Sequence, residues 1–138
     1  MISVRKQEVV KLEDVLHLYQ AVGWTNYTNQ PQMLEQSLAH SLAIYVARDG
    51  EEIVGLVRLV GDGFSSVFVQ DLIVLPSYQR QGIGSDLMKE ALGDFKDAYQ
   101  VQLATVQIEK TLGFYRSLGF ETLSTYDCTG MIWVDRKK

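Results

Sequence analysis

Residues 66–92 read SVFVQDLIVLPSYQRQGIGSDLMKEAL, and no other stretch limits the fold as tightly. An apolar run interrupted only by Gln70 and Asp71 meets a proline, then two glycines one residue apart, then a helical pattern. A run this continuously apolar does not suit a sheet with one wet face, so it predicts a strand covered on both sides at the centre of a sheet. Beyond it, Ile83, Leu87, Met88, Ala91, Leu92 and Phe95 fall on one helical stripe, with Asp86, Lys89, Glu90 and Asp94 facing away. Gly82 and Gly84 therefore lie where a strand hands over to a helix. There they let bare backbone N–H groups approach a ligand with no side chain in the way.

The flanking sequence supplies an alternating α/β order. A short first strand is expected near Ile2–Arg5, and Leu12, Val15, Leu16, Tyr19 and Val22 follow helical spacing. A second helix begins at Pro31, where a missing N–H costs nothing, and runs through Leu34 and Leu38. The stretch 42–63 reads as two strands joined at Asp49-Gly50, a pair that tolerates the positive φ of a tight hairpin turn. VQLATV (101–106) predicts another strand, KTLGFYRSL (110–118) a helix ending at Gly119, and GMIWV (130–134) a last strand. The expectation is one α/β domain over residues 1–138. Its mixed, mostly antiparallel sheet of about six to seven strands is flanked by about four helices.

Composition removes several chemistries. With 138 residues, 46% of them hydrophobic, the chain has enough for one well-filled core and shows no internal repeat or linker. The single cysteine, Cys128, excludes an internal disulfide and a multi-cysteine metal site, and His17 and His40 are far apart, so no metal is expected. A net charge of −4 argues against a nucleic-acid-coating surface and mildly suits a cationic substrate. No run approaches the roughly 20 apolar residues of a membrane span, and the first ten residues lack the apolar core of a signal peptide. A cytoplasmic protein is expected.

The glycine loop fails the common phosphate-binding patterns. A P-loop needs Lys and Ser or Thr after its second glycine, whereas Ser85 and Asp86 follow Gly84. A dinucleotide fingerprint needs a third glycine where Leu87 stands. What remains is a run of amides at a helix N-terminus, suited to a pyrophosphate through N–H donors and the helix dipole.

Gln79-Arg80-Gln81-Gly82-Ile83-Gly84, the strand before it, and FYRSLGF at 114–120 together resemble the GNAT superfamily of acyl-CoA-dependent N-acyltransferases. YQAVGW (19–24) and GMIW (130–133) are more faintly similar to small bacterial and plastid-type amine acetyltransferases. The resemblance implies acetyl-CoA as co-substrate, with its pyrophosphate held by Gln79, Arg80, Gln81, Gly82, Ile83, Gly84 and Ser85. It also implies contacts of its pantetheine arm with the backbone of Leu72, Ile73 and Val74 and with Phe114, and a strand that splays from its neighbour. Many members place Asn seven residues before the motif tyrosine; here Ile108 stands there, beside Gln107.

The implied reaction is direct attack by an amine, with no enzyme nucleophile. Tyr115 is the candidate general acid, protonated at neutral pH as a phenol with a pKa of about 10. Trp24 and Tyr27 are candidate walls of the acceptor pocket. Asp71, a carboxylate in an apolar strand, needs a reason to be there. Either it opens into the acceptor cleft as base for the substrate ammonium, the favoured assignment, or it pairs with Arg58 and holds the sheet together. The expected acceptor is a primary amine of a small molecule, with no nucleic-acid or membrane partner and with room for a homodimer. The competing readings are a CoA-binding regulatory or accessory module without turnover, and a protein or peptide N-acetyltransferase. Plainer readings stand beside each residue: a tight turn for the glycines, a core aromatic for Tyr115, core positions for Trp24 and Tyr27, and surface or rim positions for both histidines.

Overall fold

The computed structural model describes residues 1–134 and divides into two compact units, Met1–Leu103 and a second that begins at Ala104. In the first unit the elements run β1 (Ile2–Lys6), α1 (Leu12–Ala21), α2 (Thr25–Thr28), α3 (Pro31–Ala39), β2 (Ala43–Asp49), β3 (Glu52–Gly61), β4 (Ser66–Val74), α4 (Ile83–Asp94) and β5 (Gln100–Leu103). The five strands lie in sequence order, the first four antiparallel and β5 parallel to β4.

Local chemistry accounts for the turns. Gly50 takes φ +62° in the β2–β3 hairpin, as the Asp-Gly pair predicts. Between β3 and β4, Gly61 and Gly63 adopt φ +128° and +83°. Asp62 between them accepts the N–H groups of Phe64, Ser65 and Ser66 on Oδ1 and the Ser65 hydroxyl on Oδ2. That hydroxyl and those amides hold the Asp62 carboxyl well below the usual carboxylate range.

Two layers cover the sheet. On one face Val15, Leu18 and Tyr19 of α1, Tyr27 of α2 and Leu34 and Leu38 of α3 meet Ile44, Val46, Ile53, Leu56 and Ile73. The alternating residues point the other way, toward α4: the Tyr45 hydroxyl donates to Asp94, and Gly55 lies against Ile83 and Leu87. Burying Ile83, Leu87 and Met88 of α4 contributes about 1.5–3 kcal/mol each.

Several expectations need correcting in detail. Among the described residues the sheet has five strands, not six or seven, and there are five α-helices, the additional one being the single turn α2. The strand buried on both faces is β3, where Ile53–Leu59 are all buried, whereas β4 alternates between buried and more exposed positions. The apolar run of β4 is continuous in composition, but the sheet order makes it the fourth of five strands. β5 stops at Leu103, short of Val106.

Two irregularities occur together on β4. Arg58 pairs with Asp71 but the next residue, Leu59, pairs with Val69, so Gln70 is the extra residue of a β-bulge. β5 pairs with β4 only from Ser66 to Val69. From the bulge onward β4 keeps β3 on one side and, among the described residues, pairs with no strand on the other.

The second unit carries α5 (Glu109–Ser117), ended by a Schellman motif. The Phe120 N–H donates to the Tyr115 carbonyl at 3.1 Å, the Gly119 N–H to that of Arg116 at 3.0 Å, and Gly119 takes φ +99°. The hydrophobic contact that accompanies this motif is the Tyr115–Phe120 ring pair, 5.9 Å between centroids. A Gly-Phe pair after the helix is thus a structural requirement of its stop. Residues 130–134, expected as a last strand, have no regular secondary structure; Met131, Ile132, Trp133 and Val134 are exposed.

A Cβ at Gly61 would collide with the Ser66 carbonyl oxygen and would sit at a φ that side chains rarely adopt. Gly61→Ala is expected to lower stability by about 2 kcal/mol or more, read as a lower urea midpoint at an unchanged m-value. An unchanged midpoint would show that the β3–β4 turn relaxes freely.

Candidate active site

The chain leaving β4 passes through a 3₁₀ turn at Pro76–Tyr78 and reaches the start of α4 within a few residues. Two bonds fix this connection. The Tyr78 hydroxyl donates to Asp49 Oδ2 at 2.6 Å, and the Gln79 side-chain amide donates to the Val74 carbonyl at 3.0 Å. Arg80 and Gly82 both adopt positive φ, +65° and +83°, which turns the chain into the helix. Space around Gly82 is open to a Cβ, so glycine serves there through its backbone angle rather than through crowding.

The first helical bond of α4 that follows is Asp86 N–H to the Gly82 carbonyl, 3.0 Å. The N–H groups of Ile83, Gly84 and Ser85 lie ahead of it in the first turn, and no side chain caps this end. They form a donor set for an anion at the positive end of the helix dipole, with Arg80 exposed beside it.

Upstream, the backbone of β4 is open on one edge. The Leu75 N–H donates to the Val54 carbonyl, toward β3, and alternation along an antiparallel pair then directs the peptide groups of Ile73 and Asp71 the same way. The N–H and C=O groups of Leu72 and Val74 face the opposite edge, beyond the last pairing with β5. The resemblance implied a splay of these two strands; the structure shows β5 ending at Leu103, with its pairing to β4 stopping at Val69. Free strand edge and helix terminus follow one another within residues 72–85, so this one segment offers donors to a ligand along an extended path.

Asp71 does not open into a cleft. It is 2% exposed and Arg58, directly across the β3–β4 ladder, is 4% exposed. Arg58 Nε donates to Asp71 Oδ2 at 2.7 Å, the Tyr19 hydroxyl donates to the same oxygen at 2.8 Å, and the Tyr27 hydroxyl donates to Oδ1 at 2.8 Å. Arg58 spends its other nitrogens on the Tyr27 hydroxyl (3.2 Å), the Ser41 hydroxyl (3.2 Å) and the Ser37 carbonyl (3.4 Å). The pairing alternative for Asp71 is the one this geometry realises. Burial and then the neighbouring Asp71 push the phenol pKa values of Tyr19 and Tyr27 upward. For Arg58 burial acts downward, but Asp71, through its charge and hydrogen bond, and the two phenols together carry the net shift upward.

Tyr27 thus joins Asp71, and Trp24 stands beside it, 6.2 Å from the Tyr27 ring and 6.1 Å from Tyr19. The exposed Gln70 of the bulge donates to the Tyr27 hydroxyl at 3.5 Å. Sequence reasoning missed Tyr19, Gln70 and Ser41. For Tyr19 the signal was available: a carboxylate in a strand needs donors, and a tyrosine on the apolar stripe of a neighbouring helix brings one.

In the second unit Tyr115 is partly buried against Phe114 (5.0 Å, edge-on) and Phe120, and burial raises its phenol pKa. Arg116 is tied locally to Glu121 at 3.2 Å. Ile108, the N-cap of α5, and Gln107 are both exposed.

A mixed sheet whose fourth and fifth strands part beside a helix N-terminus defines a domain built to hold an extended, phosphate-bearing ligand. The family profile of the acetyltransferase (GNAT) domain matches residues 40–122, and the chain belongs to this family. An acetyltransferase of the GNAT family from Streptococcus pneumoniae TIGR4 has the same fold with a TM-score of 0.92 and 77% identity, over 99% of both chains. GCN5-related N-acetyltransferase 1, chloroplastic, of Arabidopsis thaliana is 27% identical over 97% of this chain and 68% of its own length. Serotonin N-acetyltransferase 2, chloroplastic, of Oryza sativa is 30% identical over 66% of this chain and 48% of its own length. The chain is an acyl-CoA-dependent acetyltransferase that uses acetyl-CoA as acyl donor. No helix among the described residues is long and apolar enough to cross a membrane, and no group of three or more His, Cys, Asp or Glu side chains there could hold a metal ion.

The raised phenols have a consequence in alkali. Unfolded tyrosines ionise near pH 10, while folded Tyr19, Tyr27 and Tyr45 keep their protons to higher pH, so above that point the native state holds more protons than the unfolded chain. Their contribution is complete below about pH 9 and is lost as pH climbs through and beyond 10. Urea midpoints measured from pH 8 to 11 should fall in that window, and Tyr19→Phe should flatten the fall. An equal slope in the variant would contradict the buried, carboxylate-bonded phenol.

Proposed function

We propose that this chain acetylates the primary amine of a small molecule by direct attack within a ternary complex. The observation that carries the reading is the continuity of the free β4 edge at Leu72–Val74 with the amide-rich start of α4. Together they supply the peptide N–H and C=O groups that a pantetheine arm joined to a pyrophosphate needs. Gln79, Arg80, Gln81, Gly82, Ile83, Gly84 and Ser85 take the pyrophosphate, and Phe114 lies along the pantetheine arm. The residues present suit acetyl-CoA, whose thioester supplies an activated acetyl group.

In this reading an edge N–H of Leu72 or Val74 receives the oxygen that becomes negative as the amine nitrogen adds to the thioester carbon. A comparable donor is worth about 3–4 kcal/mol in other acyl-transfer sites. As the carbon–sulfur bond breaks, Tyr115 gives its phenolic proton to the sulfur, and its raised pKa keeps that proton in place until then. The amine loses its own proton to water. Trp24 and Tyr27 form the wall for the acceptor, an aromatic surface in keeping with the similarity to a serotonin N-acetyltransferase of rice.

Thiol release from acetyl-CoA with a panel of small amines tests the reading directly, and no release with any amine or peptide would remove it. Tyr115→Phe should lower kcat by about 10²–10⁴-fold with acetyl-CoA affinity within about twofold of the parent. Gly84→Val, placing a side chain among the N-terminal amides, should weaken acetyl-CoA binding by about tenfold or more in calorimetry while the melting temperature holds. Unchanged affinity would sink the loop assignment.

A further inference from the structure

We infer that the buried Tyr19–Tyr27–Arg58–Asp71 network is a positioning device for the β4 backbone at Leu72, rather than a source of acid or base; this rests on the acetyl-transfer reading. Stability alone does not ask for such a group. Replacing a buried ion pair by well-packed apolar side chains is often neutral or stabilising, so its presence calls for a geometric reason. The place of the pair in the ladder supplies one. Arg58 and Asp71 form the first registered pair past the bulge at Gln70, where β4 has just lost β5 as a neighbour. From there to Val74 only the β3 side holds the strand.

The network reinforces that one remaining side. Asp71 is bonded across the ladder to Arg58, and through the two phenols to α1 and α2. Arg58 reaches the end of α3 through the Ser37 carbonyl and the Ser41 hydroxyl, and the latter itself donates to Ser37 at 2.7 Å. Three helices and two strands are therefore referenced to the residue immediately before Leu72. The ring is also closed: Tyr27 donates to Asp71 and accepts from Arg58, and among the described residues no buried side-chain nitrogen or oxygen lacks a partner. A fully satisfied network of this kind rigidifies its surroundings. Asp71 is 2% exposed, with a donor on each oxygen and a guanidinium across from it, so the carboxylate acts through Leu72 and not on the amine.

Tyr19 is the position to test, because it is fully buried, lies outside the residues placed on either substrate, and can lose its hydroxyl while keeping its ring contacts with Trp24 and Tyr27. In Tyr19→Phe, kcat should fall about tenfold while KM for acetyl-CoA and for the amine stays within about twofold, since small misplacements of reacting groups act on the chemical step. Amide exchange followed by NMR without ligand should show the Ile73 N–H, which faces β3 next to Leu72, opening about tenfold faster than in the parent, with the Val57 amide of β3 unchanged as an internal control. Arg58→Lys, which keeps the charge but loses the fork, should shift both readouts the same way. The pH profile of kcat/KM should keep its shape in both variants.

A kcat within twofold of the parent together with unaltered Ile73 exchange overturns the proposal. So does an Asp71→Asn variant that folds and loses the acid limb of the pH profile, because that would make Asp71 the base. If acetyl-CoA fails to protect Leu72 and Val74 in the parent, the placement of the acyl donor fails instead. The ligand-free exchange comparison still decides the positioning role.

Discussion

Beyond Val69, β4 is a strand held from one side, and the site depends on how that side is held. A strand edge with unpaired peptide groups is ordinarily a liability. Here the unpaired stretch is short, it begins at a bulge, and it ends where the Gln79 side chain covers the Val74 carbonyl. The ion pair between Arg58 and Asp71 lies at the start of this stretch, and the Tyr78–Asp49 bond tethers the loop that follows it. Residues 71–79 are thereby fixed at both ends while the middle stays available to a ligand.

The two sheet faces divide the labour. The face that carries α4 is closed by Ile83, Leu87, Met88 and Ala91, and Gly55 lets the helix approach: a Cβ there would stand 3.0 Å from the Ile73 carbonyl oxygen and 3.3 Å from Leu87. Close approach sets where the helix begins, and so where its free N–H groups lie. The opposite face carries α1, α2 and α3, and its core is interrupted by the buried network around Arg58 and Asp71. On the proposed reading, apolar packing positions the phosphate-binding end, whereas directional bonds position the strand beside the reacting centre. Bonds with fixed partners and lengths suit that second task better than contacts between methyl groups, which tolerate sliding.

How much of this was legible in the sequence follows from which interactions are local. The strand–loop–helix order of 66–95, the Asp49-Gly50 hairpin and the Pro31 helix start were readable because turn chemistry and side-chain period act within a few residues. The Gly-Phe pair at 119–120 was readable as a motif, but its cause, the Schellman bonds to Tyr115 and Arg116, became visible only with the backbone. Sheet order was not local. The apolar run of β4 pointed to a central strand, and β3, with Gly55 and Arg58 in it, holds that place instead. Asp71 was recognisable as anomalous, yet its partners on α1 and α2 are 52 and 44 residues away. GMIWV has the composition of a strand, but composition supplies no partner, and the segment has no regular secondary structure and is exposed.

On the proposed reading, the acyl-donor side relies mostly on peptide groups and the acceptor side on side chains. Backbone donors at Leu72, Val74, Ile83, Gly84 and Ser85 depend on fold and on a few glycines, so most side chains along that path are free to vary without moving a donor. The acceptor wall has no such freedom: Trp24, Tyr27 and the exposed Gln70 meet there, and each presents its own shape and hydrogen-bonding groups. Tyr27 belongs to both sides, since its ring faces Trp24 while its hydroxyl is locked between Asp71 and Arg58. A change of acceptor is therefore reached most economically through Trp24 and Gln70, which can be replaced without breaking the network, and least economically through Tyr27. The buried ring that orients the strand also limits which residue of the acceptor wall can change.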